Sequence, residues 1–213
     1  SLDVLVNNFV GPNGIGVEFQ PRRRDGSIHE QYAKELASAH EDWQRRPEVT
    51  HRHDWQATQR LTCRTYVRDG ECFAQELSGP VDLLDHGTLV PYSLELMEPD
   101  LVPMDYSDQG RNIIQGAEVN AWGRVRAWHC YRRHPGEMFQ LPTLGDLKRI
   151  PAERMLQVAE LSRIGQLRGI TRYASVINRI EDIKDYEESE RIAAKIAARL
   201  TAYVKRLAPS DEG

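Results

Sequence analysis

From residue 172 to residue 207 the chain carries one uninterrupted helical pattern, which a compact fold of this size has no evident need for. Tyr173, Val176, Ile177, Ile180, Ile183, Tyr186, Ala193, Ile196, Ala197, Leu200, Tyr203, Val204 and Leu207 recur in steps of three and four, predicting a single apolar stripe. The opposite face carries Glu181, Asp182, Asp185, Glu188, Arg191, Lys195 and Arg199. Acids lie toward the N-terminal half and bases toward the C-terminus, as the helix macrodipole favours. Globular helices average about 11–12 residues. So long a helix implies that part of its stripe packs against another subunit or a segment outside this sequence.

The preceding residues read as an α+β fold. Leu2–Val10 suits either a helix end or a strand, and Gly11-Pro12-Asn13-Gly14-Ile15-Gly16 is a turn cluster. Val17-Glu18-Phe19-Gln20 alternates as a strand does. Ser27 with Glu30 spells a capping box opening an amphipathic helix over 28–45, and a second helix is expected over 54–67. Strands are expected at 71–77, 92–97, 113–119, 125–131 and 154–159, with an irregular loop over 136–147.

Composition narrows the function. Twenty-eight Lys and Arg against 32 Asp and Glu give a net charge of −4, which disfavours a tight clamp on DNA phosphates. Cys63, Cys72 and Cys130 form neither a disulfide framework nor a C-x-x-C zinc pair, so a reducing compartment with ordinary thiols is expected. The sequence has no apolar run of membrane-spanning length and no signal peptide. It lacks an initiator Met and ends in the polar tail 209–213, and so reads as a piece of something longer.

Convincing catalytic chemistry is hard to find. His51, His53 and Asp54 are the best metal candidates, because two imidazoles and a carboxylate can reach one ion. Asp54 is more simply a helix N-cap. His129, Cys130 and His134 invite a nucleophile reading, but His129 and Cys130, as neighbours on a strand, point to opposite faces. Gly11-x-x-Gly14-x-Gly16 departs from dinucleotide spacing, and no P-loop, G-x-S-x-G or H-E-x-x-H motif is present. Trp43, Trp55, Trp122 and Trp128 suit core or interface packing better than base stacking. The loop Arg22-Arg23-Arg24 reads as solvated, with a phosphate-touching patch as its rival.

Four blocks carry a resemblance. They are Val6–Gly11; Trp43 through Trp55-Gln56, Arg60 and Arg68–Phe73; Leu94–Asp100 with Gly116–Arg124 and His134-Pro135-Gly136; and Arg149–Gln157 with Gly165–Ile170, Tyr186–Glu190 and Ala193–Ala198. In this order they resemble the lambda-type family of tailed-phage portal proteins across nearly the whole chain. Gln157 stands where that family often has His, and Arg163-Ile164-Gly165-Gln166 replaces its Arg-Pro-Gly-Gln.

The resemblance implies a non-enzymatic subunit, without cofactor, of a ring that is usually dodecameric and sits at a capsid vertex. Double-stranded DNA would pass through it without sequence specificity. The terminase large subunit, capsid or scaffold proteins and head–tail joining proteins would dock on it. It would reside in the virion, whether of a free phage or a prophage, and in the bacterial cytoplasm during assembly. Residues 1–170 would form a wing-like α/β domain with antiparallel strands and amphipathic helices, and 171–208 one very long C-terminal stem or interface helix. Ile183, Tyr186, Arg191, Lys195, Ile196, Arg199, Leu200 and Tyr203 are the candidate interface or channel residues. Arg191, Lys195 and Arg199 would face DNA, a neighbour's carboxylates or solvent. Two other readings stand beside this one: a generic α+β interaction module, and a metal-dependent hydrolase using His51, His53 and Asp54.

Overall fold

The computed structural model describes residues 2–137, 145 and 147–200, with the side chains of 199 and 200 outside that description. It divides into two units, Ser1–Arg172 and Tyr173–Gly213.

The first unit opens with helix α1, Leu2–Val10, which buries Val6 and Val10. Arg60 on helix α3 (Trp55–Asp69) ties its end down, donating to Asn7 Oδ1 at 2.6 Å and Gly11 O at 3.1 Å. The alternating residues 17–20 form no strand, contrary to their pattern. No ladder partner lies beside them among the described residues, and just upstream the Gln59 side chain takes both backbone groups of Ile15, at 2.7 and 3.1 Å. Phe19 instead sets its ring edge-on to His40, 5.2 Å between centroids.

Helix α2 spans Glu30–Trp43 and is capped by His29, whose Nδ1 accepts from Tyr32 N at 3.1 Å. The expected Ser27–Glu30 box does not form, because the Ser27 hydroxyl donates to Asp25 Oδ1 at 2.7 Å. The turn into α3 is built around Glu48, 3% exposed, whose carboxylate accepts from Thr50 N and Oγ1, Arg52 N and His53 N. Asp54 then caps α3 through Ala57 N at 2.8 Å. Gly70 at φ +89 ends that helix in the left-handed conformation, so strand β1 starts at the very next residue.

Two antiparallel sheets follow. The first has the order β2-β1-β7, with β1 at Glu71–Ser78, β2 at Tyr92–Met97 and β7 at Met155–Ala159. The second has the order β3-β4-β5-β6, from Ile113–Ile114, Ala117–Val119, Val125–Cys130 and Lys148–Pro151. The run 113–119, expected as one strand, is broken by Gln115 and Gly116, both at positive φ, and doubles back on itself. Phe73, Met97 and Met155 of the first sheet pack with Ala117, Trp128, Cys130 and Ile150 of the second in one core. Phe73 meets Trp128 edge-on at 4.9 Å.

The second unit begins with a 3-10 turn at Arg172–Ser175 and continues as helix α4, Ile177–Leu200. Its 24 residues span about 36 Å at 1.5 Å per residue. Tyr203, Val204, Leu207 and the tail 209–213 lie outside the described residues, as does most of the 136–147 loop. No helix among the described residues is long and apolar enough to cross a membrane.

Candidate assembly surface

Among the described residues of its own unit, nothing buries the apolar side chains of α4. Ile177, Ile180, Ile183, Tyr186, Ile192 and Ile196 are each about half or more exposed, Tyr186 most of all at 65%. The single stripe expected from the sequence winds around the helix as a spiral. At about 100° per residue, each three-residue step among the first four of these retreats by roughly 60°. Ile177 and Tyr186 therefore point to opposite sides of the helix. Such a helix suits a place between neighbours on two sides rather than against one flat partner.

The basic candidates fall on one edge. Arg191, Lys195 and Arg199 advance by about 40° per four-residue step, so they share a sector of roughly 80°. Arg191 lies 3.7 Å from Glu188, an exposed pair worth little in isolation. The side chains of Arg199 and Leu200 lie outside the described residues.

The first unit holds its exit segment with unusual density. Arg168 is 2% exposed, and its Nε donates to Glu71 Oε1 at 2.7 Å. Its Nη1 donates to the carbonyls of Val102 and Gln115, each at 2.9 Å, and its guanidinium lies 5.6 Å from the Phe73 ring centroid. Glu71 Oε2 accepts from Gly169 N at 2.8 Å and Gln157 Nε2 at 2.9 Å. The buried charges are thus paired and their remaining polar atoms engaged, which is what burial of an ion pair demands. Gly169 passes so close to the α3–β1 corner that a Cβ there would lie 2.2 Å from Gly70 O. Farther along, Thr171 Oγ1 donates to Val67 O at 3.1 Å. Glu160 accepts from the Tyr66 hydroxyl and from Arg172, and these donors hold its carboxyl below the usual range.

The proposed metal residues do not converge. Asp54 is occupied as a cap, and His53 N serves the Glu48 carboxylate. The described residues that do gather three donor groups are Glu98, Asp100 and His134, with ligand atoms within 4.8 Å of one another. His134 Nδ1 accepts from Gly136 N at 3.0 Å, so in the neutral ring the proton sits on Nε2. That N–H faces Glu98 at 3.3 Å, leaving no lone pair toward an ion, while Arg68 already neutralises Glu98 at 3.0 Å.

The nucleophile reading fails on burial. Cys130 sits in the core and its thiol is pushed up to about 12, while burial raises Cys72 to about 11. His129 lies off the core, 5.4 Å ring to ring from Tyr106 and 3.4 Å from Glu118. Trp43, Trp55 and Trp128 pack internally, with Trp43 and Trp55 5.0 Å apart, whereas Trp122 is 93% exposed.

What remains is a scaffold with a tightly held exit and an uncovered helix. A model of the family described as "Phage portal protein, lambda family" matches residues 1–213. The chain belongs to that family. It is similar to a "Probable portal protein" of Halomonas phage phiHAP-1, 26% identical over 219 residues that cover 98% of this chain and 41% of that protein. It therefore spans less than half the length of the curated relative it matches.

In this portal-family chain, sequence reasoning missed the residues that organise the exit. Arg168 sits between Leu167 and Gly169, and an arginine flanked by an apolar residue and a glycine was the available signal. Gln157 bridges Glu71 to Leu167 O, donating to each at 2.9 Å. A side-chain amide can donate there at any pH, without adding a titratable group to the buried pair.

Proposed function

We propose that this chain is the portion of a portal subunit that joins a wing-like α/β domain, residues 1–170, to a stem or interface helix, residues 171–208. In the full-length protein, a ring of such subunits, usually twelve, stands at one capsid vertex. Double-stranded DNA passes through its channel during packaging and ejection. The terminase large subunit, scaffold and head–tail joining proteins dock on its surfaces. The subunit is structural, works without a cofactor, and resides in the virion after assembling in the host cytoplasm.

The observation that carries this reading is the match of residues 1–213 to the lambda family of portal proteins. The uncovered spiral of α4 supports it, since a helix with apolar residues on opposite sides suits a place between two neighbouring subunits. The net charge of −4 supports a conduit, because every strong phosphate contact would retard a moving polymer. Negative-stain electron microscopy of the full-length gene product is the test. Rings with a channel wide enough for duplex DNA are expected; monomers or dimers that persist at high concentration with scaffold added would refute the reading.

A further inference from the structure

A closed ring requires two unlike surfaces on each chain that fit one another head to tail. One candidate surface is the β4–β5 turn. Asn120 Oδ1 accepts from Trp122 N at 3.0 Å and from Arg124 N at 2.9 Å, and Gly123 N donates to Asn120 O at 2.9 Å. This small closed turn projects the Trp122 indole into solvent, 93% exposed. Arg124 and Arg126 beside it are exposed and make no ion pair among the described residues. Tryptophan and arginine dominate the energetic centres of protein interfaces, and a hydrogen-bonded turn lowers the ordering cost of using them.

The complementary surface lies on α4. At about 100° per residue, Ile180, Ile183, Glu187 and Glu190 fall in one sector roughly 80° wide. The two isoleucines are 52% and 58% exposed. From Arg179 to Glu190 the helix carries six acidic residues against two basic ones. Glu187 and Glu190 make no ion pair among the described residues. An apolar patch continued by unpaired carboxylates is the counterpart of an indole continued by unpaired guanidiniums.

We infer that the Trp122 turn of one subunit docks on the Ile180–Glu190 sector of α4 in the adjacent subunit. The indole covers the two isoleucines, and Arg124 and Arg126 meet Glu187 and Glu190. This rests on the ring reading above and names the two faces that meet.

The experiment uses the full-length protein in a Cys63→Ser background. Trp122→Cys is placed in one tagged copy and Ile183→Cys in a differently tagged copy, and the two are co-expressed and treated with a short bis-maleimide. A covalent product carrying both tags is expected. Arg124→Glu with Arg126→Glu should lower ring yield at least tenfold, and adding Glu187→Arg with Glu190→Arg should restore it. If rings form normally after the first reversal and no doubly tagged product appears, the inference is wrong while the ring reading stands. If the unaltered protein forms no rings, the ring reading itself falls. Intact rings that lose salt-sensitive DNA binding on reversal would place the turn against nucleic acid and overturn the inference.

Discussion

Glu71 and Arg168, 97 positions apart in the chain, meet at 2.7 Å with 2% of each side chain exposed. Removing one partner leaves the other charged, buried and unanswered. Arg168→Met is expected to destabilise the chain by about 3–5 kcal/mol, measured by urea unfolding. The double change Glu71→Gln with Arg168→Met should cost less than the sum of the two single changes. Strict additivity would mean that the pair does not interact as its geometry says.

Gly70 and Gly169 press backbone on backbone. A Cβ on Gly169 would meet Gly70 O at 2.2 Å, and one on Gly70 would meet Ile170 C at 2.2 Å. Either alanine substitution should lower the melting temperature far more than Gly79→Ala. Gly79 has a positive φ like Gly70, +71, but nothing lies within 4 Å of its Cβ position, so only backbone strain of about 1 kcal/mol applies there. Comparable losses at all three positions would argue against the close approach.

Glu118 is held down to about 2, chiefly by the hydrogen bonds of Arg149 at 2.7 and 2.8 Å, which outweigh its desolvation. Its folded value lies below the unfolded 4.5. The unfolded chain therefore binds the proton first as pH falls, so this contribution is full above about 4.5 and disappears toward 2. Arg149→Ala should flatten the fall of melting temperature with pH across that window. An unchanged slope would contradict the assignment.

Because His134 presents an N–H rather than a lone pair to Glu98 and Asp100, zinc or manganese at millimolar concentration should leave the melting temperature unchanged. A rise that His134→Ala abolishes would show that the ring flips its proton and accepts an ion.

On α4, Ile196→Asp should disturb assembly or solubility of the full-length protein much more than Glu188→Ala. Ile196 is an apolar side chain awaiting cover, whereas Glu188 is a surface carboxylate whose Arg191 partner is also exposed. Equal effects by sizing chromatography would count against a buried role for the helix.

The parts of this fold legible in the sequence were those governed by neighbours a few residues away. Asp54 caps α3 as its position before an apolar-periodic run suggests, and Tyr92–Met97 is a strand with the bounds that its alternation predicts. Local reasoning failed where a competing hydrogen bond, a missing partner or a turn in the backbone intervened. Ser27 turned to Asp25 and His29 took the cap, the 17–20 stretch found no strand partner among the described residues, and Gly116 split a run that hydrophobicity alone would continue. The Glu71–Arg168 pair was illegible because each residue looks like a surface charge until the topology brings the two together. The winding of α4's apolar residues was present in the spacing all along, in the repeated steps of three that a list of helical positions conceals.

The corner where α3 hands over to β1 has a mechanical meaning. Glu71, Val67 and Tyr66 all grip the segment between Glu160 and Arg172, two from the helix side and one from the strand. A pull or twist arriving along the chain at Arg172 is divided at once between a helix and a sheet, with its fastenings loaded side by side rather than one after another. Such a joint spreads load over two elements at once, so the segment that ends at Arg172 stays fastened to the first unit without unravelling.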